Sequence, residues 1–186
     1  MTENVENQPQ GRVLIIAGSD SSGGAGIQAD IKTCAAFGAY SMTAITAITV
    51  QNTLGVDRVE FLDADLVRAQ IKACVSDIGV DVVKIGMLGT KEIIEAVAEE
   101  IEGLDAFIVL DPVAVATSGD TLLQDDAMEA LKTKLLPLAD LVTPNVPEGE
   151  WLSGMKIEDV DDLTKAGDAL LEKGVYAALM KGGHLS

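Results

Sequence analysis

Apolar positions along the chain fall into two rhythms. Six short runs, at residues 13–17, 43–50, 82–85, 107–110, 141–143 and 176–180, are apolar nearly throughout rather than at every second position. Such runs read as strands buried on both faces. Between them apolar residues recur at helical spacing, over 25–37 closed by Gly38, 65–78 closed by Gly79, 91–101 closed by Gly103, 125–136 stopped by Pro137, and 160–173 closed by Gly174. Glycine suits the left-handed residue past a helix end, and proline cannot continue the helical hydrogen bonding. Strand and helix in alternation predict an α/β fold, a doubly wound, mostly parallel sheet covered on both faces.

In such a sheet, ligands bind beyond the carboxyl ends of the strands, where loops lead into helices. The chemically loaded segments stand in those places: GSDSSGGAG after the first run, QNT after the second, GML after the third, DPV after the fourth, TPNVPE after the fifth and KGGH after the sixth. No repeat, low-complexity tract or proline-rich linker divides the chain, so residues 12–186 are expected to form one domain. Residues 1–11 are polar and acidic without an apolar core, which reads as a disordered tail rather than a secretory or transit signal.

Composition narrows the partners. A domain of 186 residues buries ~70% of the surface its unfolded chain exposes, and with few aromatic residues its core must be filled by Ala, Val, Ile and Leu. The net charge of -17 disfavours nucleic acid and anionic membranes, which need clustered Lys and Arg. It leaves nucleotide binding open, because backbone N–H groups, a lysine and a magnesium ion can hold a triphosphate on an acidic protein. The uncharged stretch at 33–56 is interrupted by Gly38, Ser41, Thr43, Thr46 and Thr49, and reads as a helix end and a buried strand rather than a membrane span. Cys34 and Cys74 lie forty residues apart with no CxxC, so neither a disulfide framework nor a zinc site is indicated. A cytoplasmic location is expected.

The loop at 18–26 places four glycines in nine residues directly before a helix, where backbone can approach a ligand closely, although a plain structural turn would look the same. Residues 24–29 formally match a dinucleotide fingerprint, but six residues separate them from the strand. The acidic residue needed ~20 positions on is also missing, since Val50, Gln51 and Asn52 stand there. A Walker loop is excluded, because the chain has no G-K-[ST]. Gln51 ends a long uncharged strand, where a primary amide is costly to bury unpaired. Its donor and acceptor complement a ring nitrogen beside an exocyclic amine; the alternative is capping of the strand end. Asp111 at a strand end, and Asn145 with Glu148 at a helix start, suit magnesium and phosphate. Asn145 and Glu148 equally fit a capping box, and the two roles are compatible. Lys181, before two glycines, suits a phosphate or simply points to solvent, and His184 has no evident partner.

In order, AGSDSSGGAGIQAD, ITVQNT, KIGML, LDPV, VTPNVPE and MKGGH resemble the signature segments of hydroxymethylpyrimidine (phosphate) kinases of the ribokinase superfamily, over residues 13–184. The resemblance implies a ribokinase-like fold and ATP-dependent, Mg2+-requiring phosphorylation of 4-amino-5-hydroxymethyl-2-methylpyrimidine and then its monophosphate, in thiamine biosynthesis. By position it implies that Asp30 and Gln51 contact the aminopyrimidine, that Gly18 and Ala25 shape its pocket, and that Met87 packs on the ring. Asn145, Glu148 and Lys181 would serve magnesium and phosphates with Asp111 nearby, Glu148 being the candidate metal ligand. A homodimer is implied for the full-length enzyme. The family also places a G-T-G-C element, opening a helix, in the last third of its chain, where it supplies a backbone anion hole and a cysteine near the reacting hydroxyl. No such element precedes Ser186. The domain is therefore expected to be incomplete, with no catalytic residue assigned and no phosphoryl transfer by this chain alone. The alternatives are a pyridoxal-type kinase of the same superfamily and a non-catalytic pyrimidine-binding module.

Overall fold

In the computed structural model, residues 10–113 and 125–183 are described. The chain runs β1 (Arg12–Ser19), α1 (Gly26–Ala36), β2 (Tyr40–Gln51), β3 (Val56–Phe61), α2 (Ala64–Asp77), β4 (Val82–Ile85), α3 (Lys91–Ile101), β5 (Phe107–Leu110), α4 (Asp125–Ala130), β6 (Leu141–Val142), α5 (Val146–Ser153), α6 (Val160–Leu171) and β7 (Ala177–Ala178). The sheet order is β3-β2-β1-β4-β5-β6-β7. Every neighbouring pair is parallel except β2 with β3, so the doubly wound, mostly parallel expectation holds.

Strand parity divides the core, because successive side chains point to opposite faces. Leu14 and Ile16 of β1 and Val83 and Ile85 of β4 join Val67, Ile71, Ile93, Ile94 and Val97 of α2 and α3 in one large cluster. The other parity, Ile15 and Ala17, packs on Ile27 of α1 in a much smaller one. Helix starts follow local chemistry: the side chains of Asp63, Thr90 and Asp159 accept from backbone N–H groups in the first turns of α2, α3 and α6.

Three departures from the expected elements have physical reasons. β3 is an unexpected strand whose Asp57, Arg58 and Glu60 interrupt the apolar signal; it lies at the sheet edge, where charges suppress pairing with other chains. After α4 the chain widens into a π-turn over Leu131–Leu135 and ends as a 3₁₀ turn over Leu136–Leu138. Pro137 has no N–H and its ring crowds the preceding turn, so the helix cannot stay regular up to it. The run expected as a buried strand over 176–180 shortens to Ala177–Ala178, with Tyr176 82% and Leu179 59% exposed, because among the described residues β7 pairs with β6 alone.

Of the expected tail, residues 1–9 lie outside the described residues. Gln10 donates its N–H to the Gly38 carbonyl at 3.1 Å, and Gly11 accepts from the Tyr40 N–H at 2.9 Å. Among the described residues no helix is long and apolar enough to cross a membrane.

Candidate functional site

A cavity of about 610 Å³ opens beyond the carboxyl ends of the parallel strands. All nine residues singled out from the sequence line it. Gly18, Ala25, Asp30, Gln51 and Met87 come from the β1–α1–β2 side and the turn after β4, and Asp111, Asn145, Glu148 and Lys181 from the β5–β7 side. His184 lies outside the described residues.

The glycine-rich loop is organised by a residue that sequence reasoning passed over. Asp20 is only 3% exposed. Its Oδ1 accepts from the Ser22 N–H and Oγ, each at 2.8 Å, and its Oδ2 accepts from the N–H groups of Gly24 at 2.9 Å and Ala25 at 2.8 Å. Burial pushes the Asp20 carboxyl up, but these bonds to the charged form outweigh it and hold the group below its usual value. The amides of Ser22, Gly24 and Ala25 are thus committed to the protein's own carboxylate, and the loop is a rigid wall rather than a phosphate cradle. Gln28 fastens it from α1, accepting from the Asp20 N–H and donating to Ser19 Oγ, each at 2.8 Å. Gly26 must be glycine: its φ is +56°, and a Cβ there would strike the Gly18 carbonyl oxygen. A Cβ on Gly18 would in turn come within 2.5 Å of Met87 Cε, so the methionine lies against bare backbone.

At the end of β2 two readings of Gln51 separate. The strand end is tied by the hydroxyl of Ser21, which accepts from the Gln51 N–H at 2.9 Å and donates to the Gln51 carbonyl at 2.7 Å. The side-chain amide is not used for that. Its Oε1 accepts from Thr49 Oγ1 at 3.1 Å, and its Nε2 donates to no described residue. Asp30, on α1, accepts through Oδ2 from Nζ of Lys84 at 2.8 Å.

On the opposite side the polar residues bind one another. Asp111 Oδ1 accepts from Thr143 Oγ1 and from Lys181 Nζ, each at 2.9 Å. Asn145 and Glu148 form the capping box of α5: Asn145 Oδ1 accepts from the Glu148 N–H at 2.9 Å, and Glu148 Oε2 from the Asn145 N–H at 2.8 Å. Lys181 sits beside this turn, its N–H donating to the Pro144 carbonyl at 2.8 Å. Among the described residues no group of three or more His, Cys, Asp or Glu side chains converges as a metal cage. Two carboxylates on one cavity wall, Asp111 and Glu148, are nevertheless a suitable donor set for an ion that keeps most of its waters and takes its other ligands from phosphate.

The family model for phosphomethylpyrimidine kinase matches residues 20–186. The chain belongs to that family. It is 49% identical over 174 residues to the hydroxymethylpyrimidine/phosphomethylpyrimidine kinase of Streptomyces coelicolor, covering 94% of this chain and 65% of that relative's length. The crystal structure of phosphomethylpyrimidine kinase from Clostridium difficile superposes with a TM-score of 0.89 at 49% identity, over 94% of this chain and 76% of that one. A pyridoxal kinase from Staphylococcus aureus in complex with pyridoxal gives 0.84 at 40% identity, over 93% of this chain and 65% of that one. The fold is therefore ribokinase-like.

Two residues on the cavity of this family member were missed from sequence, Asp20 and Lys84. Each left a trace: Asp20 is the only carboxylate in a loop of glycine and serine, and Lys84 interrupts the apolar run of β4. Neither trace says what the side chain touches.

Proposed function

We propose that this chain forms the pyrimidine pocket and part of the phosphate site of a kinase that phosphorylates 4-amino-5-hydroxymethyl-2-methylpyrimidine and its monophosphate with ATP, in thiamine biosynthesis. The observation that carries the reading is the convergence of nine residues from separate loops on one cavity. The Gln51 carboxamide keeps two N–H donors and one acceptor lone pair after its bond from Thr49, which suits a ring nitrogen beside an exocyclic amine. Asp30 supplies a further acceptor, Met87 over Gly18 offers an apolar face to the ring, and Ala25 closes the pocket.

On the phosphate side, Lys181 exchanges Asp111 for a phosphate oxygen. Asp111 and Glu148 would hold Mg2+, with Asn145 fixing the turn that carries Glu148. The chemistry supplied there would be neutralisation of charge on the transferred group. The reading carries with it a cytoplasmic enzyme of small molecules, homodimeric at full length. No residue described here is assigned as the catalytic base.

Calorimetry with the pyrimidine, pyridoxal and ATP, each titrated separately into residues 1–186, tests the proposal. Binding of the pyrimidine in preference to pyridoxal is expected, since pyridoxal lacks the ring-nitrogen and amine pair. The reverse preference would favour the pyridoxal-type reading. A coupled ATP assay of residues 1–186 beside a full-length family member tests where the chemistry resides, since a single donor to developing charge is worth ~10²–10³ in rate. Comparable turnover would place the chemistry within these residues.

A further inference from the structure

Lys84 is the third residue of β4, which pairs with β1 on one side and β5 on the other. Strands inside a parallel sheet read as apolar runs, because a charged side chain there must shed its hydration. Val83 and Ile85 obey that rule at 0% exposure on one face. Toward α1, Lys84 keeps only 24% of its side chain exposed and donates to Oδ2 of Asp30 at 2.8 Å. Room for the ammonium is provided by Gly86, where a Cβ would stand 3.1 Å from Lys84 Nζ. A pair this far buried adds little net stability, since desolvation offsets most of the attraction. Its place on the cavity wall needs another reason.

We infer that Lys84 is the positioning and specificity residue of the aromatic pocket: it anchors Asp30 by one oxygen, leaves the other to accept from an exocyclic amine, and cancels its charge. A neutral aminopyrimidine is then bound in preference to its protonated cation. With an uncompensated carboxylate the preference reverses, because an isolated negative charge beside the ligand favours the cation. The inference rests on the reading of the cavity as a pyrimidine site. The other ionisable groups around it already have partners. Asp20 is held by the loop amides, Asp111 by Lys181, Glu148 by the Asn145 N–H, and Lys32 of α1 donates to the Gly23 carbonyl. Cys34, one turn beyond Asp30, has its thiol pushed up by burial first and by Asp30 next, with Lys84 pulling the other way.

The test is calorimetry of 4-amino-5-hydroxymethyl-2-methylpyrimidine with wild-type, Lys84→Met and Lys84→Arg proteins, from mildly acidic to mildly basic pH. In base Lys84→Met is expected to bind about tenfold more weakly, the size of a lost charge-assisted contact. The deficit should close as pH falls, and Lys84→Arg should restore the wild-type profile. Wild-type affinity and profile in a folded Lys84→Met protein would overturn the inference while leaving the proposed function standing. A second measurement needs no ligand and no folded Lys84→Met. Iodoacetamide alkylation of Cys34, read against Cys74 by peptide mass, should accelerate in Asp30→Asn while Cys74 is unchanged. If the wild-type chain does not bind the pyrimidine, the proposed function falls and the charge pair is judged by alkylation alone; an unchanged Cys34 rate overturns the pair as well.

Discussion

On the side formed by β1, α1 and β2, the cavity wall rests on strands of 8 and 12 residues, whereas on the side formed by β6 and β7 it rests on strands of two residues each. The consequence shows in the polar groups. Where the scaffold is long, two groups are anchored at one point with a second point left over among the described residues: Gln51 holds Thr49 through Oε1 and keeps Nε2, and Asp30 holds Lys84 through Oδ2 and keeps Oδ1. Where the strands are short, the polar groups are themselves the ties, with Asp111 joining β5 to Thr143 and Lys181 and the capping box closing the turn between them. Under the proposed function, ligand recognition on the first side adds bonds to a prepared surface, which spares the cost of ordering. On the second side it must exchange bonds that the fold already uses.

The largest expected effect breaks the prepared side at its tightest point. Gly26→Ala should cost about 2–4 kcal/mol in urea unfolding, because a side chain at positive φ meets a backbone carbonyl that cannot move aside. A cost near zero would mean that the loop is not held as tightly as its hydrogen bonds indicate. Next, Asp20→Asn should cost about 2–3 kcal/mol, since a buried acceptor of several N–H and O–H bonds is replaced by a group that also donates. Because the folded-state pKa of Asp20 lies below its ordinary value, its contribution is complete above the ordinary carboxylate range and is lost as pH falls through the folded value. The urea midpoint of the wild type should therefore drop in acid, and Asp20→Asn should flatten part of that slope.

Smaller effects separate recognition from scaffold. Gln51→Leu should weaken pyrimidine binding by ~1–3 kcal/mol with the unfolding midpoint little changed, because Ser21 rather than the amide ties the strand end. Unchanged affinity would remove Gln51 from the site. On the exchangeable side, Lys181→Ala should change stability by less than about 1 kcal/mol, the lysine of its ion pair being 45% exposed. It should weaken ATP binding in calorimetry and leave the pyrimidine titration unaltered. Equal losses for both ligands would show that the two walls are not independent.

What the sequence by itself determined is the part of the architecture carried by neighbours in the chain. Apolar runs and helical spacing placed six strands and the main helices, glycines and Pro137 placed their ends, and the order of the loops pointed to the cavity beyond the carboxyl ends of the strands. That information is local, since hydration and backbone geometry act over a few residues. β3 escaped because its charges, which suit an edge strand, erase the apolar signal. Tertiary structure alone decided what each polar group meets. Lys84 finds Asp30 across 54 positions of chain and Lys181 finds Asp111 across 70, and no periodicity records such a meeting. It also decided that the glycine-loop amides turn inward to Asp20. An N–H satisfied by a buried carboxylate and one left open to a phosphate are spelled with the same residues, and only packing that excludes water from Asp20 makes the inward bond the favoured one.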